Sequence, residues 1–129
     1  MGAAPSYATT PSIGAALLGS AETSLTAPTT TSTIITAGAS GSKIEAIQVQ
    51  AIATTVAGLV YVFLHDGSAY RLFDVFTIPA NTASSSVAPI QVSEVYDNLL
   101  LETGWSLRMS QSIAGNASLL VASAFGGDF

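Results

Sequence analysis

The side chains of this chain that could carry difficult chemistry are few, and their spacing suits little of it. His65 is the single histidine, so a Ser-His-acid arrangement would have to use it. Its neighbour Asp66 follows directly where a strand reads as entering a turn, and adjacent strand residues point to opposite faces. A triad needs the acid on one imidazole nitrogen and the hydroxyl near the other, which this local pattern does not supply. His65 therefore reads as a partly solvated histidine flanking a turn. Glu94, Asp97 and Glu102 are the nearest approach to paired carboxylates for glycoside hydrolysis. They fall in one expected loop region without the compact, Gly-containing set of oxygen ligands that calcium requires, and read as a solvated rim. Asp74 lies mid-strand beside Phe73 and Val75, where an unpaired carboxylate is costly, and Arg71 and Arg108 are its candidate partners.

The remaining motifs carry less. Gly38 to Gly41 and Gly126-Gly127 neither precede a helix nor end in the Lys-Ser/Thr pair that cradles phosphate, so they read as turns or tails. Tyr61, Phe63, Tyr70, Phe73, Phe76 and Trp105 have the π-faces that stack sugars or bases, but their strand spacing fits core packing. Asn116-Ala117-Ser118 has the form of a glycosylation acceptor, a triplet common by chance. The chain has no cysteine, which removes thiolate catalysis, disulfides and Cys-based zinc sites. No catalytic, metal or cofactor-binding residue is expected.

What must position these residues is a β-rich body. Ile34 and Ile35 centre a β-branched run, Thr29 to Thr36, ended by the turn Gly38 to Gly41. Lys43 to Ala53 follows, where Ile44 is out of phase with Ile47 and a bulge near Glu45 and Ala46 reconciles them. Val56 to His65 is apolar without alternation, as in a central strand buried on both faces. Asp66-Gly67 is a strong hairpin signal, so Ala69 to Ile78 should return alongside. Strict alternation on that strand puts Tyr70, Leu72, Asp74, Phe76 and Ile78 on one face.

Pro79 stops the strand and Asn81 to Ser86 reads as a polar loop. Val87 to Ser93 is a short strand broken at Pro89, Glu94 to Asn98 a turn, and Leu99 to Glu102 a brief strand. Trp105 to Ser112 alternates cleanly with Trp105, Leu107 and Met109 facing one way, and Ala117 to Phe125 closes the fold. Seven to eight short antiparallel strands without a long helix predict an all-β sandwich or jelly-roll-like domain over residues 32–129. Residues 1–31 carry one charge, Glu22, and lack apolar periodicity. They read as an extended N-terminal arm able to lie across a neighbour.

Charge narrows the partners. Three Lys and Arg against eight Asp and Glu give a net charge of −5, the wrong footprint for a phosphate backbone. Nucleic acid is thus not expected as a partner. Ala46 to Leu64 is uncharged and long enough to span a bilayer, but Gln48, Gln50, Thr54, Thr55 and Gly58 fit two strands and their connection better, so no membrane is expected either. The N-terminus lacks the basic segment and long apolar core of a secretory signal. Charged residues make up only 9%, against roughly 25% in an average soluble domain, which points to surface covered by other subunits.

Asp66-Gly67-Ser68-Ala69-Tyr70, Ile78-Pro79-Ala80-Asn81-Thr82, Thr103-Gly104-Trp105-Ser106-Leu107 and Phe125-Gly126-Gly127-Asp128-Phe129 carry a resemblance to small β-rich virion proteins of tailed bacteriophages. The chain most resembles their capsid decoration, or cement, proteins, over roughly residues 33–129. That resemblance implies a β-sandwich or jelly-roll knob, a homo-oligomer with a trimer favoured, and the major capsid protein as partner. It also implies a place on the outer surface of the capsid in the virion, stabilisation of contacts between capsid subunits, and no catalytic residues. The arm has no counterpart in the resemblance. Its apolar residues Ile13, Leu17, Leu18 and Leu25 are the candidate capsid-binding surface. The alternative is a carbohydrate- or receptor-binding β-module of a tail, neck or fibre.

Overall fold

Alternation of inward and outward side chains builds eight strands in the computed structural model, which describes residues 10–129. They are β1 (Thr10–Leu18), β2 (Ser32–Thr36), β3 (Ser42–Ala51), β4 (Gly58–His65), β5 (Tyr70–Ile78), β6 (Gln91–Leu101), β7 (Ser106–Gln111) and β8 (Leu120–Asp128). The pairing is nested and antiparallel throughout: β1 with β8, β2 with β7, β3 with β6, β4 with β5. The chain thus runs out to the β4–β5 turn and back as one long folded ribbon. Two further pairings, β3 with β8 and β4 with β7, roll it into sheets ordered β1-β8-β3-β6 and β2-β7-β4-β5. Two four-stranded antiparallel sheets with that order are a jelly roll.

The turn at the ribbon's apex has a local cause. Gly67 takes φ 102°, which a residue with a Cβ rarely adopts, and the Asp66 carboxylate accepts from the N–H groups of Ser68 and Ala69 at 3.0 and 2.8 Å. Between the sheets, Leu18, Ile44, Ile47, Val49, Val60, Val62, Ile78, Leu107, Met109 and Leu120 are fully buried. Burying such side chains contributes on the order of 1.5–3 kcal/mol each before chain entropy is counted. A bulge between Ile44 and Ala46 shifts β3 against both neighbours, as the phase break in the sequence predicts.

Four expectations are corrected. The described part of the arm is not a free extension. β1 pairs with β8 along its whole length, from Thr10 opposite Asp128 to Leu18 opposite Leu120. Its small residues are what let it close the sandwich: a Cβ on Gly14 would overlap the Ile34 carbonyl of β2. The β1–β2 connection is also tied down. Ala21 bridges to Gln111 beside β7, and the N–H of Glu22 donates to the Gln111 carbonyl at 2.8 Å. The buried Glu22 carboxylate accepts from the N–H groups of Thr29 and Thr30 at 3.1 and 3.3 Å. The arm's one charge therefore holds the connection folded on itself, repaying part of the cost of burial. Residues 1–9 of the expected arm lie outside the described residues.

Secondly, β6 is one continuous strand, because Glu94, Asp97 and Asn98 project from a sheet edge where polar side chains cost nothing. Thirdly, strict alternation fails on β5 at Phe73. Val62 lies opposite Asp74 but Phe63 opposite Leu72, so Tyr70 and Leu72 face outward while Asp74, Phe76 and Ile78 face inward. Fourthly, Asp74 meets no arginine. It accepts from the Tyr96 hydroxyl at 2.6 Å, joining edge strand β5 to edge strand β6 across the open flank of the sandwich.

Candidate interaction surface

Each sheet has one outer face, and strand register decides what each displays. On β2-β7-β4-β5, Val60 and Val62 point into the core, so Tyr61, Phe63 and His65 point out. Phe63 is nevertheless fully buried. The ring of Tyr70 meets it edge-on with centroids 5.8 Å apart, and Tyr61 flanks it at 6.2 Å. Arg108, opposite Phe63 on β7, donates from Nη1 to the Tyr70 hydroxyl at 3.0 Å and from Nε to Ser106 Oγ at 3.0 Å. Its Cζ sits 5.6 Å from the Tyr70 ring centroid. Thr31, just before β2, reaches the same hydroxyl at 3.2 Å. Phe63 is therefore sealed by its neighbours, whereas Leu59, Leu72 and Val75 on the same outer face stay 37–40% exposed.

The outer face of β1-β8-β3-β6 is built differently. Register places Ile13, Phe125, Ala46 and Val95 side by side across the four strands. The next rows are Ala15, Ser123, Gln48, Ser93 and then Leu17, Val121, Gln50, Gln91. None of these twelve positions is charged. Lys43 lies at the end of this face, and its ammonium stands 4.0 Å from Glu45, the bulge residue. Ile13 is 69% exposed and Val95 76%, so large apolar side chains stand clear of their own chain here.

The four arm residues singled out in the sequence separate. Ile13 and Leu17 share this outer face, exposed on β1. Leu18 turns inward and is fully buried in the core, so it has no surface to offer. Leu25 is exposed in the β1–β2 connection, which runs beside β7 of the other sheet. Phe125, Val121, Ala46 and Val95 escaped sequence reasoning, because only strand order and register bring them beside Ile13. The alternation of Val121, Ser123 and Phe125 was the one local signal that they share a face.

The candidate chemical residues remain dispersed. His65 is half-buried at the end of β4, and its Nδ1 accepts from the Gly67 N–H at 3.3 Å. Glu94 and Asp97 project from β6, while Glu102 lines a shallow open groove of about 500 Å³ with Gly41, Leu100, Thr103 and Phe129. Among the described residues, no three His, Asp or Glu side chains are grouped to hold a metal ion. No helix among them is long and apolar enough to cross a membrane. Backbone N–H groups of Ala69 and Ser68 lower the Asp66 pKa to about 2. Burial, and then the hydrogen bond to Asp74, push Tyr96 well above the ordinary tyrosine range. Both shifts follow from folding contacts, a turn and a strand-to-strand clasp, and neither group faces a cleft.

Protein-family models, curated proteins and solved structures give no match to this chain.

Proposed function

We propose that the chain is a noncatalytic structural subunit, a decoration protein that binds the outside of a tailed-phage head and holds major capsid subunits together. The observation that supports this reading is the outer face of β1-β8-β3-β6, with twelve uncharged positions and an exposed apolar row from Ile13 to Val95. Strand spacing and rise make this face of three rows across four strands on the order of 400 Å². That is about half of the roughly 800 Å² per partner of a stable protein interface, so a docked copy needs more than one such contact. The resemblance to decoration proteins adds the partner, the outer virion surface and a trimer as the favoured assembly. Clamping is noncovalent: each docked copy adds its binding free energy to the state in which adjacent capsid subunits stay together, and several contacts per copy multiply the effect.

The test uses particles from the source phage and the full chain. Cryo-electron microscopy should place it on the outside of the head, and Val95→Asp or Ile13→Asp should fold normally yet lower occupancy at least tenfold. These positions are exposed enough that the substitutions cost the fold little. Wild-type occupancy by both variants, or wild-type density absent from the head, would overturn the proposal.

A further inference from the structure

We infer that the opposite outer face, on β2-β7-β4-β5, holds a binding site for a carboxylated saccharide centred on Arg108 and His65. Of the three strong cations, Lys43 stands by Glu45 and exposed Arg71 donates to the Tyr70 carbonyl, whereas half-buried Arg108 is held in place by neutral hydroxyl partners among the described residues, on Ser106 and Tyr70. A guanidinium carries five N–H donors in a fork that matches a carboxylate with two parallel bonds, and these contacts use two of them. His65 supplies the neighbouring donor. Its Nδ1 accepts from the Gly67 N–H, which leaves the proton of the neutral ring on Nε2, and no hydrogen bond from Nε2 is made within the described residues.

Register gives the site its layout. His65 lies opposite Ser106 and Phe63 opposite Arg108, so His65 and Arg108 are diagonal neighbours on one face, about 7–8 Å apart. On the other side of β7, Thr36 is opposite Ser106 and Thr33 opposite Arg108, and both threonines are exposed. One fixed cation, held from beneath by the buried Ser106 hydroxyl, beside the exposed hydroxyls of Thr33 and Thr36 and an imidazole N–H suits a polyhydroxyl ligand bearing a carboxylate. Phe63, sealed beneath Tyr70, offers no apolar pocket here. A phosphate polymer would need several cations, and a chain of net charge −5 with a single arginine here repels it.

The experiment titrates the folded full chain with trigalacturonic acid, with its methyl ester, and with inorganic phosphate, following amide chemical shifts and heat. The acid should shift the amides of Thr33, His65, Ser106 and Arg108, and the neutral ester should bind at least tenfold more weakly. Arg108→Gln keeps an N–H donor at the level of Nε, toward Ser106, but removes the charge, and should lose at least tenfold in affinity for the acid. Thr33→Asp, at an exposed edge position, sets a fixed carboxylate beside Arg108 and should weaken binding equally without touching the Phe63 seal. Absence of shifts with the acid, equal affinity for acid and ester, or binding that both variants leave unchanged would overturn the site. Phosphate binding as tight as the acid would overturn its saccharide character.

Discussion

On the outer face of β2-β7-β4-β5, Phe63 is fully buried under Tyr70, Tyr61 and Arg108, while on the outer face of β1-β8-β3-β6, Ile13 and Val95 stand 69% and 76% exposed. Both faces come from the same period-two alternation, and both carry large apolar residues at outward positions. The difference lies in what sits over them. Tyr70 is long enough to reach from β5 across β4 to the arginine of β7, and no residue of that kind occurs on β1, β8 or β3 of the other sheet. On the first face Phe63, buried by its neighbours, contributes to folding of the single chain. Ile13 and Val95 on the second would contribute only in the proposed assembly, and the 9% of charged residues says nothing of which face is involved.

The sharpest way to break the contrast is truncation on each face. Phe63→Ala should cost about 3–5 kcal/mol, because a large buried ring is removed and its cover cannot fully collapse. Val95→Ala should stay within about 0.5 kcal/mol in the free protein. Guanidinium unfolding of the two variants measures both. A Val95→Ala loss comparable to that of Phe63→Ala would mean that this face is already covered within the single chain.

A smaller effect is expected where the two sheets meet at their open flank. Tyr96→Phe deletes the hydrogen bond to the Asp74 carboxylate and should cost about 1–2 kcal/mol, since the acceptor is charged and half-buried. Its pH signature is specific. The Tyr96 pKa is raised in the folded protein, so the unfolded chain ionises first. The contribution is therefore complete below the ordinary tyrosine pKa of about 10 and declines above it. Unfolding midpoints from pH 8 to 11 should fall more steeply for the wild type than for Tyr96→Phe, and parallel curves would remove the clasp from the account.

Much of this architecture was readable in residues whose signals are local. The hairpin at Asp66-Gly67, the stop at Pro79, the bulge near Glu45 and the central, doubly buried β4 each follow from neighbours within a few positions. β1 was not readable, because Pro11, Gly14, Ala15 and Ala16 have low strand propensity. Those residues are there because the strand lies at a sheet edge and Gly14 crosses the backbone of β2. β6 was broken up for a related reason: acids and Asn98 on an edge look like turn residues. The partner of Asp74 was missed because a tyrosine on another sheet competes with arginines only once the sheets are packed. The exposed apolar row failed on the same ground, as its four members come from four strands and share a surface through register alone.

The smallest expected effect tests the sealed side at its turn. Asp66 is fully exposed, so its value to the fold comes from accepting the N–H groups of Ala69 and Ser68, which hold its pKa at about 2. In the unfolded chain the same carboxyl titrates near 3.9. Because the folded pKa is the lower one, the stabilisation is present above about pH 4 and is lost as pH falls toward 2. Asp66→Asn keeps a side-chain acceptor for the turn but cannot change its charge, so its stability should lack that part of the acid slope. Thermal unfolding of both proteins between pH 5 and 2 should give curves that converge on acidification, with Val95→Ala keeping the wild-type slope. Curves that stay parallel would show that the turn is set by Gly67 alone, and the hydrogen bonds from Ser68 and Ala69 would then be a consequence of the hairpin instead of a cause.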